Sequence, residues 1–211
     1  MKINKRYQQK LKTHQNLMFA ALSLMSEEKG LGELSLREVA GEAGIVPAAF
    51  YRHFKSMEEL GLALVDDSAE KIASILKDAR KKGAYRSALH SSIGYFFDYV
   101  SKNRSLFRFI SRERNGGYKK IREKIRTAME TIASELALDM RMPKSISFAD
   151  TLFASQMIVG VAFQRASEFL DLDGKDHQDI RKLKFLTVKQ LRLVFVGTIR
   201  GRKRIRTKIK V

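Results

Sequence analysis

The chain has 211 residues, enough for one large domain or two small ones, and its 41 Lys and Arg against 23 Asp and Glu leave a formal net charge of +18. Such an excess favours a polyanionic partner (nucleic acid, an anionic membrane surface or a phosphorylated ligand) and argues against a protein that works on cationic substrates. The lack of Cys excludes disulfides, thiolate metal sites and cysteine nucleophiles, and no apolar run approaches the roughly 20 residues of a membrane span. We therefore expect a soluble, cytoplasmic, mostly helical protein.

The N-terminal end is a basic arm followed by an amphipathic helix. The arm has no acidic residue within its first twelve positions and carries Lys2, Lys5, Arg6, Lys10 and Lys12. Apolar side chains then recur at helical spacing from Leu17 to Leu24. Gly30 is the predicted stop signal of this first helix.

Two capping boxes and a proline predict three more helices. Ser35–Glu38 is a capping box, since the Ser oxygen can accept a free backbone N–H while the Glu side chain reaches back to the cap. The short second helix should end near Gly44, and Pro47 suits the first turn of a third. Ser56–Glu59 is a second capping box and begins a long fourth helix.

The rest of the chain predicts five further helices and no strand. They are expected around Ile93–Val100, Leu106–Ile110, Ile121–Leu136, 148–170 and 176–199. The last of these is apolar nearly all round, which indicates burial on two sides. The fold class is therefore all-α, with about nine helices, and the basic tail Arg200–Lys210 is expected to be frayed or disordered.

Residues 35–54 predict two short helices joined by a tight turn that contains glycine. This arrangement is typical of the helix-turn-helix, whose second helix can enter a DNA major groove. On a helical wheel that starts at Pro47, Phe50 and Phe54 fall on one side and should face the core.

The opposite side of this second helix is suited to reading DNA. Ala48, Ala49 and Arg52 face outward on the wheel, so the guanidinium can bind a guanine edge and a methyl can contact thymine. Neighbouring polar side chains are placed to hold phosphates. The predicted DNA-binding residues are Ser35, Arg37, Pro47, Ala48, Ala49, Tyr51, Arg52, His53 and Lys55.

The run SLREVAGEAGIVPAAFYRHFKSMEELGLAL, residues 35–64, resembles the DNA-binding region of the TetR family of one-component repressors. The resemblance covers Gln9–Leu64 strongly and the whole nine-helix layout more loosely. AGIVPAAFYRHF, ELGLALVDDS and LFRFISRERNGG (Leu106–Gly117) are similar to the FabR/DesT branch. Relatives usually place hydroxyl residues where Ala48 and Ala49 stand, so either the operator differs or specificity depends on Arg52, the basic arm and DNA shape.

The resemblance implies a helix-turn-helix DNA-binding domain over residues 1–55, a helical ligand-sensing and dimerisation domain over 56–199, and a basic tail over 200–211. It implies a homodimer on a palindromic operator, with the final two helices as a four-helix seam. In the FabR/DesT branch, such a repressor controls genes of fatty acid synthesis, unsaturated fatty acids above all, and responds to long-chain acyl-CoA or acyl-carrier thioesters. The alternative is a TetR-type repressor of efflux or catabolic genes that senses another apolar small molecule.

Two groups of side chains are candidates for binding that effector. An apolar slot is predicted from Phe96, Phe97, Phe107, Met129, Phe153, Met157 and Phe163, although such aromatic side chains also form ordinary cores. A phosphate clamp is predicted from Arg108, Arg112 and Arg114, since guanidinium groups suit phosphate. A solvated helix face with local ion pairs is the alternative for these arginines.

Other function classes find little support in the sequence. The chain lacks the GxSxG, GK[ST] and GxGxxG motifs, and its four histidines are scattered, so we expect neither an enzyme nor a metal or other cofactor. A non-specific nucleic-acid or membrane-surface protein is the stronger rival. The salt dependence of binding separates a repressor from such a protein, because a repressor keeps a sequence-selective component of its DNA affinity as counterion release weakens.

Overall fold

The computed structural model describes residues 5–26, 29–81, 85–140, 142–172 and 177–205. Over these residues the chain forms nine α-helices and one 3₁₀ turn without any strand, which confirms the predicted all-α class. The helices are α1 (Lys5–Leu24), α2 (Leu36–Glu42), α3 (Pro47–Phe50), α4 (Met57–Lys81), α5 (Tyr85–Lys102), α6 (Arg104–Glu113), α7 (Lys119–Asp139), α8 (Phe148–Leu170) and α9 (His177–Ile205). The 3₁₀ turn, Leu31–Glu33, lies between α1 and α2.

Both basic ends are more helical than the sequence predicts. Helix α1 begins at Lys5, so most of the predicted arm forms its first turns, while Lys2 lies outside the described residues. Helix α9 continues to Ile205, so the expectation that the tail is frayed from Arg200 is wrong for its first residues, and 206–211 lie outside the description. Lys and Arg are good helix formers, and positive side chains at a helix C-terminus complement the helix dipole.

The predicted capping boxes form, one of them in a shifted register. The Ser35 hydroxyl accepts the Glu38 N–H at 3.2 Å, and the Glu38 carboxylate accepts the Ser35 N–H at 2.8 Å. At the start of α4 the Ser56 hydroxyl accepts the Glu59 N–H at 3.2 Å, as predicted. The Glu59 carboxylate, however, accepts the N–H of Lys55 at 2.5 Å, one residue before the expected donor.

The chain divides into two compact units. The first unit contains the residues up to Glu70 together with Asn103–Arg126, and the second contains Lys71–Lys102 together with the residues from Thr127 onward. The α6–α7 turn therefore packs with the helix-turn-helix, although about 30 residues of the second unit precede it in sequence. The predicted boundary at residue 55 concerns which residues contact DNA and stays a prediction.

The core of the first unit is formed by aliphatic and aromatic side chains of its helices. Its fully buried members include Leu17, Ala21, Leu31, Val39, Ala40, Phe50, Leu60 and Ile121. Helix α4 makes a close approach in this core at Gly61. A Cβ on Gly61 would clash with the ends of the Ile121 and Leu31 side chains, which are both fully buried and would have to shift to admit it.

In the second unit α8 and α9 pack against each other, and both contact α5. The ring centroids of Phe97 and Phe169 lie 5.2 Å apart, and Leu191 of α9 is fully buried. The Lys184 ammonium lies 3.4 Å from the Asp98 carboxylate, which joins α9 to α5 at the edge of this core. None of the described helices combines the length and the apolar content needed to cross a membrane.

Candidate DNA-binding surface

The helix-turn-helix turn depends on a glycine in the left-handed region. Gly44 has a φ of +70°, a backbone conformation that L side chains rarely adopt. The N–H of Ile45 donates to the Ala40 carbonyl at 2.9 Å, and this bond closes the end of α2. The chain then extends through Val46 and begins α3 at Pro47, where the missing N–H costs nothing.

The second helix is shorter than the sequence predicts. Regular α-helical structure ends at Phe50, and residues 51–53 form a tighter turn in which the His53 N–H donates to the Phe50 carbonyl at 2.8 Å. The N–H of Phe54 also donates to the Phe50 carbonyl, at 3.0 Å, so the chain keeps a helical course beyond α3. Phe50 is fully buried and Phe54 is 2% exposed, which confirms that both rings face the core.

The side chains on the other side of this segment are open to solvent. Ala48, Arg52 and Lys55 are exposed, and Tyr51 is 63% exposed despite its large ring. Ala49 is only half-buried, so it lies at the border of this surface rather than at its centre. Small methyl groups beside one long guanidinium leave room for the edges of base pairs in a major groove.

Three other predicted contacts lie at the ends of the two helices. Ser35, Arg37 and Pro47 are all exposed. The Ser35 hydroxyl oxygen accepts the capping bond of α2, so its first role is to begin that helix.

A histidine pair that the sequence analysis missed borders the exposed segment. His14 of α1 stacks on Phe54 at a centroid distance of 4.3 Å and lies 6.2 Å from His53. Burial lowers the pKa of both histidines, and for His53 the charge of His14 acts in the same direction, as do the more weakly acting charges of Lys10 and Arg52. Both imidazoles are therefore neutral at pH 7.

The buried Nδ1 of His53 finds no hydrogen-bond partner among the described residues. A proton on that atom would be an unsatisfied buried donor, so the proton is better placed on Nε2. His53 can then donate one hydrogen bond to a phosphate without carrying a charge. No local sequence pattern predicts this pair, because 38 residues lie between His14 and His53 in the chain.

Helix α1 adds positive charge next to the same surface. The positive charge of Lys10 helps to lower the pKa of both His14 and His53. His53 belongs to residues 47–54, which we name the recognition segment. Lys5, Arg6 and Lys12 share the exposed first turns of α1 with Lys10. Exposed ammonium and guanidinium groups such as these can hold the phosphates of a nucleic acid.

The residues predicted to bind an effector do not all come together. Phe96 lies 6.2 Å from Phe163 and 5.7 Å from Phe97, measured between ring centroids, and the three rings are buried in the second unit. Met129 is half-buried. Phe107 is buried in the first unit, among other side chains.

The two remaining apolar candidates lie on the surface of the chain. Phe153 is 64% exposed and Met157 is 58% exposed, one helical turn apart on α8. Helix α9 exposes Phe185 and Leu193, both at 63%, although its opposite side buries Leu183 and Leu191. We name the exposed apolar side chains of these two helices the seam residues: Phe153, Met157, Phe185, Leu186 and Leu193.

The three predicted clamp arginines differ in their surroundings. The Arg112 guanidinium donates to the Glu33 carboxylate at 2.9 Å, so it already forms an ion pair. Arg108 is half-buried and Arg114 is exposed just after α6 ends. In the described part of the chain, no group of three His, Asp or Glu side chains is placed to hold a metal ion.

Models of two protein families match the chain. The model described as bacterial regulatory proteins, tetR family, matches residues 17–64, and the model described as a tetracyclin repressor-like C-terminal domain matches residues 85–197. The first match contains the whole helix-turn-helix. The first three turns of α1, which carry Lys10, precede it.

Solved structures with the same fold include three bacterial regulators. The fatty acid degradation regulator FadR from Bacillus halodurans has a TM-score of 0.71 at 16% identity, over 89% of this chain and 96% of that chain. FadR from Bacillus subtilis, in complex with stearoyl-CoA, has a TM-score of 0.65 at 18% identity, over 86% and 97%. A regulator from Aquifex aeolicus VF5 has a TM-score of 0.66 at 18% identity, over 86% and 99%. At these identities the likeness concerns the fold alone.

Proposed function

Because the chain belongs to the TetR family of bacterial regulatory proteins, we propose that it is a homodimeric transcriptional repressor of fatty acid metabolism. Members of this family are DNA-binding regulators and not enzymes. The observation that carries the proposal is that the recognition segment has one buried and one exposed side: Phe50 and Phe54 are buried, whereas Ala48 and Arg52 are exposed. The buried rings fix the segment on its unit, and the exposed side chains are left to read bases.

The exposed side chains divide into base-reading and phosphate-holding groups. Arg52 binds a guanine edge with its forked donors, and the Ala48 methyl contacts a thymine methyl. Lys55, Tyr51 and the neutral His53 donate to phosphates on either side of the groove, which fixes the register without reading sequence.

The operator can be found by selecting duplexes from a random pool with the wild-type protein, and two single variants then test the division. Arg52→Ala should lose about 1–3 kcal/mol on the selected duplex and relax the preference at one base pair per half-site. Lys55→Ala should weaken binding to selected and random duplexes alike and flatten the dependence of affinity on salt. Equal losses on both duplexes in the Arg52 variant would contradict base reading by that residue.

We assign dimerisation to the seam residues of α8 and α9. A single recognition segment reads only a few base pairs, and a palindromic operator requires a two-fold protein. Exposed aromatic side chains such as Phe153 and Phe185 are costly in a monomer and are typical of surfaces covered by a second copy. The two exposed pocket candidates of α8, Phe153 and Met157, therefore fit this seam better than a ligand slot.

The proposed effector is a long-chain acyl-CoA. The similarity to the FabR/DesT branch over Leu106–Gly117 supports it. One structural neighbour is a fatty acid degradation regulator, and another is a transcriptional regulator in complex with stearoyl-CoA. The buried rings of Phe96, Phe97 and Phe163 provide the apolar surroundings that an acyl chain requires. Control of unsaturated fatty acid synthesis genes is the corresponding proposal for the regulated pathway.

The proposed effector is tested by comparing stearoyl-CoA with stearic acid. Titration calorimetry measures their binding to the protein, and a second assay measures how each compound changes the affinity of the protein for the selected duplex. Arg108→Glu combined with Arg114→Glu should abolish the response to the thioester and keep duplex affinity without effector, since the Arg112 ion pair remains. Lys119→Glu, at an exposed site on α7, is the control. No heat and no change in duplex affinity with stearoyl-CoA would favour a repressor of efflux or catabolic genes that senses another apolar compound.

A further inference from the structure

The C-terminal end of α6 holds the turn that precedes the helix-turn-helix. Glu113 is only 3% exposed, and its carboxylate accepts the backbone N–H of Leu31 at 3.3 Å. Leu31 is fully buried and begins the 3₁₀ turn that leads into Ser35, the cap of α2. A side chain more than 80 residues away thus fixes the backbone just before the first DNA-binding helix.

A second contact from the same helix end holds the other end of this turn. The Arg112 guanidinium donates to the Glu33 carboxylate at 2.9 Å, and the same carboxylate accepts the backbone N–H of Gly30. Gly30 is the residue just before the turn, and Glu33 is its last residue. Neighbouring residues of α6 therefore hold it at two points, one through a backbone N–H and one through a carboxylate.

Two glycines, Gly30 and Gly116, leave the space that these contacts occupy. A Cβ on Gly30 would clash with the Arg112 guanidinium, and a Cβ on Gly116 would clash with the Glu113 carboxylate. The turn after α6 is fixed in its place by Arg122, whose guanidinium donates to the Gly116 carbonyl at 2.5 Å. Both glycines are needed for space, since neither has a positive φ.

The buried carboxylate is not explained by stability alone. Burial raises the pKa of Glu113, while the Leu31 N–H and the Arg112 charge lower it and Glu33 raises it more weakly. The charged form of the Glu113 carboxyl is therefore disfavoured by its surroundings, and an apolar side chain of similar size would fill the same space without that penalty. What a carboxylate adds is a directional acceptor for the Leu31 N–H.

We propose that Glu113, assisted by Arg112, is a positioning residue for DNA recognition: it fixes the turn Leu31–Glu33 and through it the place at which α2 begins. Helix α2 contacts both α1 and α3, so a displacement of its first residue moves the recognition segment as well. Sequence-selective binding requires base-reading groups to be held within a fraction of an ångström, whereas phosphate contacts tolerate displacement. The proposal rests on the proposed DNA-binding function.

Two substitutions at Glu113 separate positioning from packing. Glu113→Gln keeps an acceptor for the Leu31 N–H, whereas Glu113→Leu removes it and keeps most of the volume. Glu123→Gln and Glu123→Leu are the matched controls, on an exposed carboxylate of α7 that, within the described part of the chain, pairs with Lys119 of the same helix. The measurements are affinity for the selected and for random duplexes, and hydrogen exchange of the peptide that spans residues 29–34 by mass spectrometry.

Glu113→Leu should accelerate exchange in residues 29–34 and reduce the ratio of selected to random duplex affinity, each by about tenfold, the effect of one lost hydrogen bond. Random-duplex affinity should change little, and Glu113→Gln should restore most of both losses. Arg112→Gln, at a partly exposed site, should also lower the ratio of selected to random duplex affinity, by a smaller factor. This variant still tests the proposal if Glu113→Leu misfolds.

Faster exchange with an unchanged affinity ratio would overturn the positioning role and leave Glu113 with a structural one. Unchanged exchange and ratio in every variant would overturn the contact itself. A wild-type protein without sequence preference would instead refute the proposed function, a result that is visible before any variant is made.

Discussion

Phe185→Asp tests whether the seam residues join two copies of the chain. Phe185 is 63% exposed on α9, so the substitution should leave the fold of a single chain intact. A Phe side chain offers about 200 Å² of surface, of which roughly 120 Å² is therefore open. At about 25 cal/mol per Å², covering that area is worth roughly 3 kcal/mol in each copy.

In a two-fold symmetric interface one substitution changes both copies of the residue, so its energetic effect on the dimer is doubled. Complete coverage of Phe185 would therefore make the change cost about 6 kcal/mol, and coverage of half its open area about 3 kcal/mol. The dimer dissociation constant should rise by at least about 100-fold, before the desolvation of the new carboxylate is added.

Sedimentation velocity across a range of protein concentrations measures this shift directly. Leu138→Asp is the matched control, because Leu138 is 73% exposed on α7 and is not one of the seam residues, so its loss should not alter assembly. An unchanged dissociation constant in the Phe185 variant would refute the seam. A wild-type protein that stays monomeric would refute dimerisation itself.

Two further predictions concern the stability of the first unit. Gly61→Ala should destabilise the protein by about 1–3 kcal/mol, because the added methyl overpacks the core. Gly41→Ala, in an open position of α2, should stabilise the protein by up to about 1 kcal/mol. Urea denaturation measures both changes, and equal effects would show that α4 does not need its close approach. Burial lowers the pKa of His14 and His53, so their contribution to the free energy of unfolding is complete above the unfolded value of 6.5 and is lost as the pH falls through the folded pKa values. His14→Gln should flatten the decline in stability that begins as the pH falls below 6.5, and a decline as steep as that of the wild type would contradict this origin.

The features that the sequence predicts correctly are all encoded by near neighbours in the chain. Ser35 begins α2 through a bond to the third residue after it, and Gly44 supplies the one positive φ of the turn. The inward direction of Phe50 and Phe54 follows from their spacing of four, which places them one turn apart. The nine helices found among the described residues follow from periodic apolar residues in the same way.

The features that the sequence does not predict depend on contacts between distant residues. The contacts of Glu113 with Leu31 and of His14 with His53 join polar groups across the fold, and single polar residues leave no periodic signal. The exposure of Phe153 has a related cause. Spacing identifies the apolar side of a helix but not whether its own chain or a second copy covers it.

The separation of buried and exposed side chains in the recognition segment has a consequence for how regulators of this family change their targets. The residues that hold the segment in place, Phe50 and Phe54, are separate from the exposed Ala48 and Arg52, which we propose as the base-reading residues. Exposed positions away from caps and cores tolerate substitution at little cost, usually within about 0.5 kcal/mol. After a gene duplication, mutations at positions 48 and 52 can accumulate in one copy without threatening its folding, so new operators are accessible to it by single steps.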